Sequence, residues 1–116
     1  MHVSTVYKIL SLAAWTQART HGVLALAGVD ARDGYVHLSA ADQVAGTLAL
    51  HFSDADALVL VAFDAGALGP DLRWEASRGG ALFPHFHGGL ATSLASDAWK
   101  IARGDDGVFV LPELRP

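Results

Sequence analysis

The chain of 116 residues contains no cysteine. This absence excludes a disulfide scaffold, a thiolate nucleophile and any zinc or iron–sulfur centre held by cysteine. Charged residues are also scarce, at 17% against roughly 25% in an average soluble domain, while hydrophobic residues make up 52%. Such a composition is typical of a folded globule and not of a disordered segment. The length predicts a single domain over residues 1–116, with a core that needs neither metal nor disulfide.

Basic residues are fewer than acidic ones, eight against twelve, which gives a formal net charge of -4. This balance repels phosphate backbones and anionic lipid headgroups, so we expect neither a nucleic-acid partner nor membrane contact. The longest apolar run, residues 57–63, is also far shorter than the roughly 18 residues that a membrane-spanning helix requires. With no convincing export signal around Lys8, the sequence predicts a cytoplasmic protein. It leaves the oligomeric state open.

Short extended segments dominate the chain and indicate an α+β domain. Period-two or fully apolar patterns predict strands over residues 5–10, 35–38, 57–63, 72–76 and 82–87, and a hairpin joining residues 99–102 to 108–111. The segment 57–63 is apolar on both faces, which is typical of a central strand covered on two sides. Irregular spacing of strands and helices argues against a doubly wound parallel sheet.

Two helices are predicted. The first spans Leu12–His21, with Ser11 as its N-cap and Gly22 as its C-terminal stop. For the second, Ser39 followed by Asp42 resembles a capping box, and a buried stripe at four-residue spacing carries the helix to about residue 53. Residues 23–34 are predicted to form a loop that holds at most a short turn of helix.

Glutamate occurs only twice, as Glu75 and Glu113. Strand alternation places Glu75 on the same face as Arg73, so one interpretation is an ordinary surface ion pair. The other is a carboxylate in a cleft that binds a hydroxyl group or acts as a base.

Histidines from two separate extended segments could converge: His37 from one, His85 and His87 from the other. His85 and His87 project to the same side of a strand, the spacing by which two histidines ligate one metal, with His37 or Glu75 as a third ligand. A metal-dependent hydrolase is therefore one alternative, and hydrogen bonding of the rings to loop backbone is the other. We assign no residue as a metal ligand.

Two further residues carry a candidate function beside a structural one. Ser39 could be a nucleophile next to His37, but the Gly-x-Ser-x-Gly elbow is absent and helix capping accounts for the residue. Arg78 precedes Gly79 and Gly80, a cation beside a backbone that can closely approach an anion. No dinucleotide fingerprint or phosphate-binding P-loop is present.

Several segments together resemble the small bacterial family catalogued as domain of unknown function 952. These are YKIL at residues 7–10, Trp15, DGYVHLS at 33–39, QVAGT at 43–47, LRWE at 72–75 and RGGALFPH at 78–85. The family resembles the ADP-ribosyltransferase superfamily in fold. The resemblance implies an ADP-ribosylation-type fold, a split and mainly antiparallel sheet with two helices, whose cleft holds the nicotinamide half of NAD. NAD is therefore the candidate substrate.

The resemblance also implies a cleft in which Glu75 and His37 are catalytic. Ribosyl transfer passes through an oxocarbenium-like centre, so Glu75 would hold ribose hydroxyls and His37 would orient the sugar. The ligand-binding residues would be Tyr7, Ser39, Arg73, Arg78 and His85, with Arg78 near phosphate. The alternative to an enzyme is a non-catalytic binding module whose cleft holds a small nucleotide-like ligand or a protein partner.

The segment 37–39 is also similar to RNA 2′-phosphotransferases of the same superfamily. Those enzymes are expected to carry a histidine on the first strand, where this chain has Tyr7 and Lys8. Together with the acidic net charge, this difference argues against RNA as the substrate.

Overall fold

The computed structural model describes residues 3–116, except for the side chain of Arg78. In this part the chain forms six strands and four α-helices, which are, in order, β1 (Thr5–Leu10), α1 (Leu12–His21), α2 (Val29–Asp33), β2 (Val36–His37), α3 (Val44–His51), β3 (Ala57–Asp64), α4 (Ala65–Leu68), β4 (Leu72–Ala76), β5 (Leu82–Phe86) and β6 (Ala95–Ala102). All strand pairs within the sheets are antiparallel. The molecule is thus an α+β domain, as the sequence predicts.

The first sheet has the strand order β1-β3-β6, with β3 at its centre. Alternate residues of β3 enter two hydrophobic cores: Val59, Val61 and Phe63 pack into one, Leu58 and Leu60 into the other. Because both faces are covered, the strand is apolar throughout, and the prediction of a buried central strand is confirmed.

The second sheet has the order β2-β5-β4 and joins the first through one short bridge. Tyr7 of β1 and Ser39 exchange backbone hydrogen bonds of 2.8 and 2.9 Å. One face of the second sheet contributes Val36 and Phe86 to the first core. By the pairing of His37 with His85, the opposite face carries the histidines.

The ends of α1 are as the sequence predicts. The Ser11 hydroxyl accepts a hydrogen bond of 3.0 Å from the Ala14 amide, and Gly22 adopts the left-handed conformation with φ 81°. These side-chain and backbone preferences are local, so they can be identified without knowledge of the tertiary fold.

The predicted capping box of Ser39 and Asp42 is wrong. A single 3₁₀ turn, Ala41–Gln43, precedes α3, and the Gln43 side chain accepts from the Ala40 amide at 3.0 Å. Ser39 does not cap this turn because its backbone is engaged in the bridge to Tyr7, while its hydroxyl lies 2.9 Å from that of Thr47.

Other differences concern the extent of elements. Helix α3 ends at His51 instead of near residue 53, and β6 begins at Ala95 instead of residue 99. The predicted return strand over residues 108–111 is reduced to the isolated bridge of Arg103 with Phe109. Helix α2 is a short turn of helix within the predicted loop 23–34, as the sequence allowed. Helix α4 is absent from the prediction because an element of four residues shows no periodicity. No helix in residues 3–116 is long and apolar enough to span a membrane.

Candidate functional site

Two adjoining cavities lie beside the junction of the two sheets. The smaller has a volume of about 230 Å³ and is bordered by β1, α2, β2, α3, residues next to these elements, and Ser77. The larger, of about 770 Å³, extends between α1 and residues 23–29. Both are lined by Lys8, Asp30 and Phe52, so they form one cleft with a polar and a wider compartment.

Asp30 is the buried anchor of the smaller cavity. One carboxylate oxygen accepts from the Lys8 ammonium at 2.7 Å, and the other accepts from the His37 ring Nδ1 at 2.7 Å and from the His37 backbone at 3.1 Å. The side chain is 6% exposed. A buried carboxylate is tolerated when donors surround it in this way, and the same contacts fix Lys8 and His37 in position.

The backbone around α2 explains how Asp30 reaches this position. Gly28 and Gly34 flank the helix with φ of 56° and 86°, and the Gly34 amide donates to the Asp30 carbonyl at 2.8 Å. Glycine adopts positive φ without strain, and these two turns fold the five-residue helix back against β1 and β2.

A second carboxylate holds the other nitrogen of His37. The ring Nε2 lies 3.0 Å from Asp33, which is also bound by Arg32 through contacts of 2.9 and 3.0 Å. For both ring contacts to be hydrogen bonds at once, the imidazole must carry two protons. The hydrogen bond from Arg32 lowers the pKa of Asp33, so this carboxylate is ionised at neutral pH.

A pair of hydroxyls forms another part of the wall. Ser39 and Thr47 lie 2.9 Å apart, and both border the smaller cavity together with His51. A hydroxyl can both donate and accept hydrogen bonds, so this pair has the chemistry to bind a hydroxyl group of a ligand as donor or as acceptor.

Behind His37, the second sheet carries a cluster of Tyr35, Glu75, His85 and His87. One oxygen of Glu75 lies 2.9 Å from the ring Nδ1 of His85 and 2.7 Å from the ring Nε2 of His87. The Tyr35 ring lies 4.3 Å from that of His85, 4.6 Å from that of His37 and 4.8 Å from that of His87, measured between centroids. The cluster therefore packs against the His37 ring through Tyr35 and His85.

Burial and hydrogen bonding shift the acidity of this cluster. Burial lowers the pKa of His85 despite the opposing hydrogen bond to Glu75, so the ring favours its neutral form. Hydrogen bonds from His87 and then His85 lower the pKa of Glu75. Burial is the main cause that raises the pKa of Tyr35, which keeps the phenol protonated.

The structure brings only part of the predicted site to the cleft. His37, Ser39 and Tyr7 border the smaller cavity. The Tyr7 hydroxyl, however, donates to the Arg115 carbonyl and accepts from its amide, both at 2.8 Å, so Tyr7 contributes a wall and not a free polar group.

The remaining predicted residues lie elsewhere. Glu75 and His85 are outside the lining of both cavities. The His85 ring contacts that of His37, with the two centroids 5.2 Å apart, and Glu75 contacts His85. Arg73 is exposed and opposite His85 in the strand register. The side chain of Arg78 lies outside the described part of the chain.

The histidine spacing that suggested a metal brings His85 and His87 to the same Glu75 oxygen. Within residues 3–116, no group of three or more histidine, aspartate or glutamate side chains is arranged to hold a metal ion. The structure thus offers no observation in favour of the metal-dependent hydrolase.

Sequence reasoning missed Lys8, Asp30, Asp33 and Thr47 as site residues. Lys8 is the one charged residue of the otherwise uncharged strand β1, and Asp30 and Asp33 stand three apart between two glycines. These signals are visible in the sequence, but they do not reveal that the residues meet.

Comparison with known proteins places the chain among relatives of unknown function. The model of the family described as "Protein of unknown function (DUF952)" matches residues 9–98. The crystal structure of protein CC0527 from Caulobacter crescentus is 43% identical, with a TM-score of 0.86 over 92% of this chain and 94% of that one. The solution NMR structure of CC0527 is 45% identical, with a TM-score of 0.79 over 90% of each chain. No curated protein matches the chain.

Proposed function

The chain belongs to the DUF952 family of proteins of unknown function, and we propose that its cleft binds a ribosyl ligand of the nucleoside or nucleotide class and catalyses transfer or hydrolysis of the ribosyl group. The observation that carries this proposal is His37, held between Asp30 and Asp33 at the wall of a cavity that also presents the Ser39–Thr47 hydroxyl pair. The choice of a ribosyl group follows from the resemblance to the ADP-ribosyltransferase superfamily that the sequence suggests, with NAD as one source.

The dimensions of the cleft support a ligand of this size. The larger cavity, about 770 Å³, falls within the roughly 300–1,000 Å³ typical of small-molecule pockets. The smaller one, about 230 Å³, accommodates a single polar ring such as a ribose. A molecule with a sugar joined to a base occupies both.

The chemistry needs an ionised carboxylate near the sugar. In ribosyl transfer, the bond between C1′ and the base nitrogen breaks and its electron pair leaves with the base, while an acceptor oxygen bonds to C1′ and loses a proton. Positive charge develops on the ribose in the transition state, and a nearby carboxylate stabilises it. Asp33 fits this requirement, since it is ionised and 27% exposed.

His37 is the proton donor in this proposal. The His37 ring contacts a carboxylate through each of its nitrogens. After the contact between Nε2 and Asp33 opens, the ring supplies a proton to the departing base or a hydrogen bond to a ribose hydroxyl. Glu75, proposed from the sequence as the carboxylate that holds hydroxyls, instead orients His85 and His87 behind His37. It is therefore a positioning residue.

The test measures, by chromatography, the free base that the protein releases from NAD and from ribonucleosides. We expect release by the wild-type chain and a loss of about 100-fold or more for Asp33→Asn, because removing one electrostatic contact to a transition state costs about that factor. Asp105→Asn, at an exposed position, is the matched control and keeps full activity. Equal release by Asp33→Asn would contradict the mechanism.

Binding without release would favour the non-catalytic module. In that case thermal shifts would still show stabilisation by the ligand, because any molecule that binds only the folded state raises the melting temperature. The Asp33→Asn substitution would then change affinity alone.

A further inference from the structure

The larger cavity is mainly apolar. Its walls are formed by Leu10 of β1, Ala14 and Ala18 of α1, Leu24 of the following segment, and Phe52 after α3. Gln17 and His21 also border it, but most polar groups of the cleft, among them Asp33, Ser39 and Thr47, border the smaller cavity. A ligand that spans both compartments must have one polar end and one apolar or aromatic end.

The lysine and arginine charges of the cleft are balanced by carboxylates. Apart from histidines, the described cations that line it are Lys8 and Arg32, and each is paired with a carboxylate, Asp30 and Asp33 respectively. A phosphate placed here would meet two carboxylates, and Lys8 and Arg32 are each already paired with one of them. Phosphate binding would therefore compete with ion pairs that the cleft already contains, of which the Lys8–Asp30 pair is the buried one.

From this separation we propose that the ligand is a nucleoside without phosphate, its ribose in the smaller cavity and its base in the larger one beside Phe52. The inference rests on the proposed function and narrows its substrate class. It distinguishes the chain from a site for NAD, whose diphosphate would need unpaired cations. All nucleobases can stack on an aromatic ring such as that of Phe52, so stacking in this cavity does not select one base over another.

The test compares each ribonucleoside with its own 5′-monophosphate by isothermal titration calorimetry. The probes are adenosine, guanosine, cytidine, uridine and nicotinamide riboside, with NAD as a further ligand. We expect at least one nucleoside to bind at least tenfold more tightly than its monophosphate and than NAD. If a monophosphate or NAD binds as tightly or more tightly, the inference is overturned while the proposed function stands. If no probe binds, both are overturned.

A pair of variants on α1 tests where the base lies. Ala14 lines the larger cavity, and Ala13, one residue earlier, is exposed and does not line it. Ala14→Phe fills the compartment, so we expect it to weaken nucleoside binding at least tenfold, while Ala13→Phe leaves affinity unchanged. Unchanged binding by a folded Ala14→Phe variant would overturn the placement of the base.

Discussion

Asp30 is the residue on which the polar end of the cleft depends. Its carboxylate is buried, receives donors from Lys8 and His37, and thereby sets the position of both. These partners come from β1 and β2, so one side chain of α2 ties two sheets together. A single charged residue therefore contributes to stability and to the geometry of the site.

Replacing Asp30 with asparagine should destabilise the fold. The variant keeps the shape of the side chain but leaves the Lys8 ammonium, 14% exposed, without its ionic partner. We expect a loss of about 2 kcal/mol in the free energy of unfolding, less than the roughly 3–5 kcal/mol seen when a fully buried pair is broken. Urea denaturation measures this loss.

The exposed Asp105→Asn variant is again the control and should lie within about 0.5 kcal/mol of wild type. If Asp30→Asn were equally neutral, the hydrogen bonds to Lys8 and His37 would not constrain the site.

The cluster behind His37 should make stability depend on pH. Burial lowers the pKa of His85 from its ordinary 6.5, and histidine hydrogen bonds lower that of Glu75 from 4.5. Over the range below 6.5 the unfolded chain therefore binds more protons at these positions than the folded one, and stability declines as pH falls. We expect a lower free energy of unfolding at pH 5 than at pH 7.5.

His85→Gln identifies the origin of that dependence. The glutamine amide can still hydrogen-bond to Glu75 but does not titrate. The free energy of unfolding of this variant should therefore fall less between pH 7.5 and pH 5 than that of the wild type. An identical decline in the two proteins, measured by urea denaturation at each pH, would rule out His85 as a source.

At the scale of elements, local signals predict more of the fold than of the site. Strand β1, helix α1 and strand β4 have the bounds that their residue patterns predict, since alternation and capping act within a few residues. The Ser39 error has the opposite origin: the serine lies in a capping-box sequence, but its pairing with Tyr7, far away in the chain, decides its conformation. Tertiary pairing here overrides a local preference.

Two glycine substitutions test the description of the helices. Gly22 ends α1 at φ 81°, whereas Gly46 lies within α3, where an added Cβ meets no atom within 4 Å. Gly22→Ala should lower the free energy of unfolding by about 1 kcal/mol because L-residues are strained in that conformation. Gly46→Ala should raise it by about 0.5–1 kcal/mol through helix propensity.

Because the two substitutions should change the free energy of unfolding in opposite directions, each variant is a control for the other. Thermal unfolding of both should show melting temperatures on either side of wild type. A stabilised Gly22→Ala variant would mean that the left-handed cap is not formed.

At the scale of the whole molecule, the cleft lies beside the short bridge of Tyr7 with Ser39 that joins the two sheets. Lys8 and Asp30 are 22 residues apart and meet only when α2 folds against β1, and Ser39 meets Thr47 through the same junction. Sequence reasoning could identify His37 and Ser39 by their chemistry. It could not assign Lys8, Asp30 and Asp33, because their significance lies in contacts between segments that have no shared pattern.

The most direct test of the ribosyl cleft is amide NMR of the ¹⁵N-labelled protein during titration with the tightest-binding ribonucleoside of the panel. We predict that the largest shift changes fall on α2 and residues 36–40 at the polar end of the cleft, and on α1 and residues 23–29 at the apolar end. Shift changes confined to β4 around Arg73 and Trp74, or no changes at all, would contradict it.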